Sequence, residues 1–289
     1  ILTDEPNSTE ALEAAKEFEY RFTNRDASLF DPADVAAWDL AGKRAYTTHQ
    51  DALTAIEWLK TNYPTTSYAM INHPSRGKNK YTIADFREFN DLAPQVVFGI
   101  EGMLGNQMEP DRGGYNTTYN VSNPTADDGY KYRTYGGVDY MVAKVGGLWD
   151  ALLGEGRHFW NYGNSDYHFK TIGTNSSGYF PGEYAKTYSW VEGSGMQAVL
   201  DGLRSGKSFS VFGDLINALD FTASGAGAQA EMGEDLNVTQ GDEVELKIRF
   251  KSPTTSNNYE TPINSGISAG QVPVVDHVDL IAGDVTGKA

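Results

Sequence analysis

Phe159-Trp160-Asn161-Tyr162-Gly163 runs without a break into Asn164-Ser165-Asp166-Tyr167-His168, and this stretch decides how the chain is read. The first five residues have the short, aromatic-rich character of a buried strand. Asp166 and His168 follow it directly, two positions apart. In an extended backbone, residues i and i+2 share a face, roughly 6–7 Å apart. A carboxylate and an imidazole so placed can grip one metal ion, or one of a pair. The carboxyl end of a barrel strand is a usual place for catalytic groups. The competing reading is a turn that happens to contain a histidine.

Working outward, helix and strand patterns alternate. Asn7-Ser8-Thr9 is a helix start, and Leu12, Ala15, Phe18 and Phe22 continue at helical spacing over residues 8–22. Asp51 opens a second helix with Ala52, Ile56 and Leu59 on one face, and Pro64 ends it. Residues 68–72 and 96–100 are predicted buried strands. Between them, Thr82-Ile-Ala-Asp85 precedes Phe86 and Phe89 as a capping-box variant. Val138, Met141, Val142, Val145, Trp149 and Leu152 form one helical stripe. Lys186–Val191 and Phe209–Phe212 are predicted strands, separated by a helix through Met196, Val199, Leu200 and Leu203 that Gly206 ends. This alternation predicts a mostly parallel α/β domain over residues 1–214. Beyond it, 219–222, 244–250 and 275–281 read as strands with period-2 alternation, which makes 215–289 a small antiparallel β domain. Residues 252–270 read as a linker or hairpin loop.

A second motif lies at Ile71-Asn72-His73-Pro74-Ser75-Arg76. Pro74 cannot continue a ladder, so the chain turns there and presents His73 at a strand mouth. Arg76 lies three residues on and suits an anionic substrate group. Taken alone, the motif reads as a His packed at a strand end and an Arg in a surface ion pair. His-Pro-x-Arg after an apolar strand, then a strand ending in Glu, then Gly-x-Ser-Asp-x-His, resembles the later motifs of the polymerase-and-histidinol-phosphatase (PHP) superfamily of metal-dependent phosphoesterases. The matching segments are His73-Pro74-Ser75-Arg76, Gly99-Ile100-Glu101 and Gly163-Asn164-Ser165-Asp166-Tyr167-His168. Ala198–Lys207 followed by Gly213-Asp214 is similar to the branch that carries a C-terminal β domain.

The resemblance implies a distorted (β/α)7-type barrel with a two- or three-metal centre at the strand carboxyl ends, filled by Zn, Mn or Fe. His73, Asp166 and His168 match metal-ligand positions of the family. Glu101 and Arg76 are read as catalytic residues, Glu101 through a ligand or the substrate and Arg76 by orienting a phosphate oxygen. The chain departs from the family in lacking its opening His-x-His strand and the acidic ligands that follow it. His49 lies beside a helix start and reads as structural, as does His158, while His277 falls in the β appendage. The barrel is therefore expected to be incomplete at its N-terminus. Either an N-terminal piece is missing or this copy is degenerate. Ile1-Leu2-Thr3-Asp4-Glu5-Pro6, which reads like mid-protein sequence, favours the first. With three ligands, the chain is expected to hold at most one tightly bound metal and to hydrolyse weakly or not at all, the longer parent being active.

Composition narrows the function further. The net charge of −16 repels nucleic-acid phosphates and anionic lipid. No cysteine is present, which excludes thiolate nucleophiles, disulfides and Cys-ligated zinc. No apolar run is long enough to span a bilayer. Acidity and the β appendage point to a periplasmic or secreted protein, with a cytoplasmic one left open. The polar stretch 102–136, with Arg112, Lys131 and Arg133 among tyrosines, reads equally as a substrate lid and as a solvated insertion. The leading expectation is a metal-dependent phosphoesterase in which a metal-activated water attacks a small-molecule phosphoester. A carboxylic or carbamic ester is the runner-up substrate. A non-catalytic carbohydrate- or surface-binding module, motivated by the 17 Tyr and 5 Trp, is the reading from a different class.

Overall fold

The computed structural model describes residues 8–23, 27–38, 48–74, 81–104, 138–167, 181–182, 185–255 and 272–288. Arg76, His168 and most of the 102–136 stretch, including Arg112, Lys131 and Arg133, lie outside them. In chain order the helices are α1 (Thr9–Phe22), α2 (Pro32–Ala37), α3 (His49–Asn62), α4 (Ile83–Leu92), α5 (Tyr140–Ala143), α6 (Leu148–Gly154) and α7 (Met196–Ser205). The strands are β1 (Ile71–Asn72), β2 (Gly99–Leu104), β3 (Trp160–Asn164), β4 (Ala185–Ser189), β5 (Ser208–Phe212), β6 (Ala218–Gly225), β7 (Ala228–Glu231) and β8 (Glu245–Lys251). Among the described residues, no helix is long and apolar enough to cross a membrane.

The chain divides into two compact units. The first comprises Ile1–Met70, Ile83–Phe98 and Val191–Arg204, and the second Ile71–Thr82, Gly99–Trp190 and Ser205–Ala289. The boundary read at 214/215 falls inside the second unit.

Helices dominate the first unit. Ser8 caps α1 by accepting from the Ala11 N–H at 3.2 Å. Thr48 caps α3 in a reciprocal box: its hydroxyl accepts from the Asp51 N–H, and the Asp51 carboxylate accepts from the Thr48 N–H. That helix therefore begins at His49, and Asp51 is its third residue rather than its first. Ile56, Leu59, Phe86 and Phe89 are buried, as their periodicity predicts. The strand read over 96–100 starts three residues late. The Val96 and Val97 N–H groups both turn back to the Ala93 carbonyl, so they are unavailable to a ladder. Val96, Val97 and Phe98 are buried all the same. The strand read over 68–72 is likewise confined to Ile71–Asn72. Arg204 ties this unit together by donating to the carbonyls of Gln95 and Thr65 and lying over the Phe98 ring.

The second unit carries the sheets. β1, β2 and β3 pair in parallel in that order. Among the described residues these are the parallel strands, and they do not close into a barrel. The β2–β3 register slips between Glu101, opposite Tyr162, and Met103, opposite Gly163. Gly102 is thus a bulge residue. Its N–H goes sideways to the Asn161 Oδ1 at 3.1 Å, and its carbonyl accepts from the Asp139 N–H at 2.7 Å. β4 and β5 form an antiparallel pair, contrary to the parallel expectation for this part of the chain. Their hydroxyls serve the edge of β3: Thr187 accepts from the Gly163 N–H and donates to its carbonyl, and Ser210 donates to the Asn161 carbonyl. The single stripe read over 138–152 is two short helices, because Gly146 at φ 71° turns the chain between α5 and α6. The last sheet has the order β7-β6-β8 and is antiparallel throughout. β7 was not anticipated, and residues 275–281 form no strand.

A Cβ on Gly102 would sit 2.4 Å from both the Asn161 Oδ1 and the Val142 Cγ2. Gly102→Ala must therefore displace the bulge. Its expected cost is about 2 kcal/mol, measured by urea unfolding. A neutral substitution would show that the bulge has room to relax.

Candidate metal centre

Parallel pairing of neighbouring strands puts their carboxyl ends side by side. His73 comes one residue after β1, Glu101 lies within β2, and Asp166 comes two residues after β3. The His73 N–H donates to the Glu101 carbonyl at 3.1 Å, which continues the β1–β2 ladder one step beyond the strand. The Asn164 side chain at the end of β3 accepts from the Asp166 N–H at 2.8 Å, an Asx turn that folds the chain back toward β2. One ligand atom each from His73, Glu101 and Asp166 lies within 4.8 Å of the other two.

Both outer residues hold unusual backbones. His73 has φ 33° and Asp166 φ 49°, in the left-handed region that side-chain-bearing residues seldom enter. Such strain costs on the order of 1–3 kcal/mol per residue and tends to gather at functional sites. Asp214 at φ 53° is also strained, but it is buried and paired with Lys186.

Glu101 is the most informative member. It is 3% exposed, and its Oε2 finds no hydrogen-bond partner among the described residues. Burial, reinforced by the nearby Asp166 charge, pushes its carboxyl up to about 8. This buried carboxyl faces a second carboxylate and an imidazole, and among the described residues no Lys or Arg is paired with it. This donor set fits a divalent metal: one imidazole nitrogen and two carboxylate oxygens, the type used by catalytic zinc and by non-haem iron and manganese.

Two of the three residues read as ligands, His73 and Asp166, thus come together, and Glu101, read as a catalytic residue, joins them as a donor. His168 and Arg76 lie outside the described residues. The remaining histidines lie elsewhere. His49, at the start of α3, stacks on Phe89 and pairs with Asp85 and Glu88. His158 packs against Trp160, and His277 sits exposed between Asp276 and Asp279. The sequence reading missed the bulge at Gly102 and the Asn164 turn. A glycine inside a strand pattern was the available signal for the first.

No protein-family model matches the chain, and no curated protein or solved structure shows significant similarity to it.

The Glu101 carboxyl sets a pH dependence for the metal-free protein. Its folded pKa lies above the ordinary 4.5, so the folded state holds the proton more tightly than the unfolded chain. The stabilisation is full below pH 4.5 and disappears by about pH 8, a loss on the order of 4 to 5 kcal/mol. Glu101→Gln should therefore flatten the fall in stability between pH 5 and 8 in the presence of a chelator. Equal pH slopes for variant and parent, by urea unfolding, would show that Glu101 is not the desolvated group.

Proposed function

We propose that this protein is a metal-dependent hydrolase of phosphoesters. The observation carrying the proposal is the convergence of His73 just past β1, Glu101 within β2 and Asp166 just past β3 on three adjacent parallel strands, with the Glu101 Oε2 buried and without a hydrogen-bond partner among the described residues. The motif resemblance in His73-Pro74-Ser75-Arg76 and Gly163–His168 supports the same reading.

In this proposal His73, Glu101 and Asp166 hold a divalent cation, Zn, Mn or Fe, and His168 adds a further ligand from the segment after Asp166. Such a cation supplies Lewis acidity toward a phosphoryl oxygen and makes nearby water more acidic. The chain itself supplies position. The ladder bond from the His73 N–H to the Glu101 carbonyl holds the His73 backbone beside β2, and the Asn164 turn holds the Asp166 backbone. Arg76, three residues beyond His73, orients a phosphate oxygen through its planar fork of donors.

A carboxylic or carbamic ester is the runner-up substrate for the same centre. The binding-module reading draws on a different feature of the second unit, a cavity of about 590 Å³ lined in part by Trp149, Trp160, Phe209 and Phe221. The two classes separate on Asp166, which is remote in kind from that aromatic lining.

The test is turnover of aryl phosphates and matched aryl esters with added Zn or Mn, at chain concentrations high enough to measure the weak hydrolysis expected of a three-ligand centre. Phosphate turnover should exceed ester turnover and disappear with a chelator. Asp166→Ala should lower it by about 100-fold or more without loss of folding. Preferential ester turnover would replace the substrate class. Metal-independent activity, or activity unchanged in Asp166→Ala, would remove the metal-hydrolase reading.

A further inference from the structure

β8 is an edge strand. It pairs with β6 on one side, and among the described residues its other side carries no strand. All seven of its residues are exposed. Leu246, Ile248 and Phe250 project on one face, 36–44% exposed. Lys247, Arg249 and Lys251 project on the other, with Arg249 opposite Asp220 of β6. A long, exposed, apolar edge is a liability that proteins ordinarily cover or pair.

The same unit contains a segment with the complementary pattern. Residues 274–281 read Val-Val-Asp-His-Val-Asp-Leu-Ile, a strand-forming composition that forms no strand here. Val274, Val278, Leu280 and Ile281 are between 52 and 81% exposed, more than isolated surface residues of this kind require. An edge lacking a partner and a strand-like segment lacking a ladder thus occur in one chain.

We propose that the free edge of β8 is a docking edge, and that its occupant is this chain's own residues 274–281, added as an antiparallel fourth strand. Connection and parity both favour that occupant. Residues 252–273 join the two segments, ample length for an antiparallel return, and the tether makes pairing intramolecular at high effective concentration. In a strand the faces alternate, so the parity of the pairing decides which side chains meet. With Ile248 opposite Val278, Leu246 meets Leu280 and Lys247 meets Asp279. Sliding by two residues puts Phe250 opposite Val278, Ile248 opposite Leu280 and Arg249 opposite Asp279. Each register gives three matched pairs, each contributing about 0.2–1 kcal/mol, although the first also sets Phe250 against Asp276 and Lys251 against Val275, and the second Lys247 against Ile281. The odd registers match two pairs each: with Ile248 opposite Asp279, Lys247 meets Leu280 and Arg249 meets Val278, and with Ile248 opposite His277, Leu246 meets Asp279 and Lys247 meets Val278.

The cysteine-free chain makes the test direct. Three double variants are oxidised and followed by mass spectrometry: Ile248→Cys with Val278→Cys, Phe250→Cys with Val278→Cys, and the wrong-face control Ile248→Cys with His277→Cys. At least one of the first two should close a disulfide within a single chain about tenfold faster than the control. In the unmodified chain, the outward-facing amides of β8 should exchange slowly with solvent. Equal rates in all three variants, disulfides that join two chains instead of one, or fast exchange along the β8 edge would each overturn the proposal.

Discussion

The parallel ladder of β1, β2 and β3 is the constraint on which the candidate centre depends. Each strand is short, yet their adjacency in the order β1-β2-β3 brings three distant parts of the sequence to one rim. The central strand carries the acidic residue that suffers most from that placement. Glu101 loses its water, gains Asp166 as a like-charged neighbour, and is left with an unpartnered oxygen. A chain selected only for stability would relieve this with an amide or an apolar side chain. The strained backbones at His73 and Asp166 add cost in the same place. These penalties coincide at one point, and a divalent cation held there would offset all of the electrostatic ones together.

Much of the fold was legible because burial and period agree. α1, α3, α4 and α7 followed the apolar spacing, and β3, β4 and β5 followed short apolar runs. The misses have specific causes. Val96 and Val97 are as apolar as any strand, but their N–H groups satisfy the end of a turn after α4. Burial was read correctly there and hydrogen bonding was not. The stripe over 138–152 broke at Gly146, where a positive φ outweighed side-chain periodicity. The antiparallel pairing of β4 with β5 depends on long-range contacts that no local pattern encodes. Residues 275–281 have strand chemistry without a ladder, because strand formation requires a partner as well as a propensity.

The site was legible in part. His73 stood out because Pro74 forces a turn directly after an apolar run, and Asp166 because it follows a strand pattern two positions before His168. Glu101 carried less signal, since a glutamate near a strand end is commonplace. Its importance comes from desolvation, which depends on what packs around β2 and is invisible in a linear pattern. Gly102 has the same character: its role is fixed by Asn161 and Val142, which lie far along the sequence.

The central claim is that His73, Glu101 and Asp166 form one metal-binding centre. Equilibrium dialysis against Zn or Mn, followed by elemental analysis of the parent chain and of Glu101→Gln, tests it most directly. The account predicts about one tightly held equivalent in the parent and a loss of affinity of about tenfold or more in the variant. No bound metal in the parent, two or more equivalents, or binding undiminished by Glu101→Gln would contradict it.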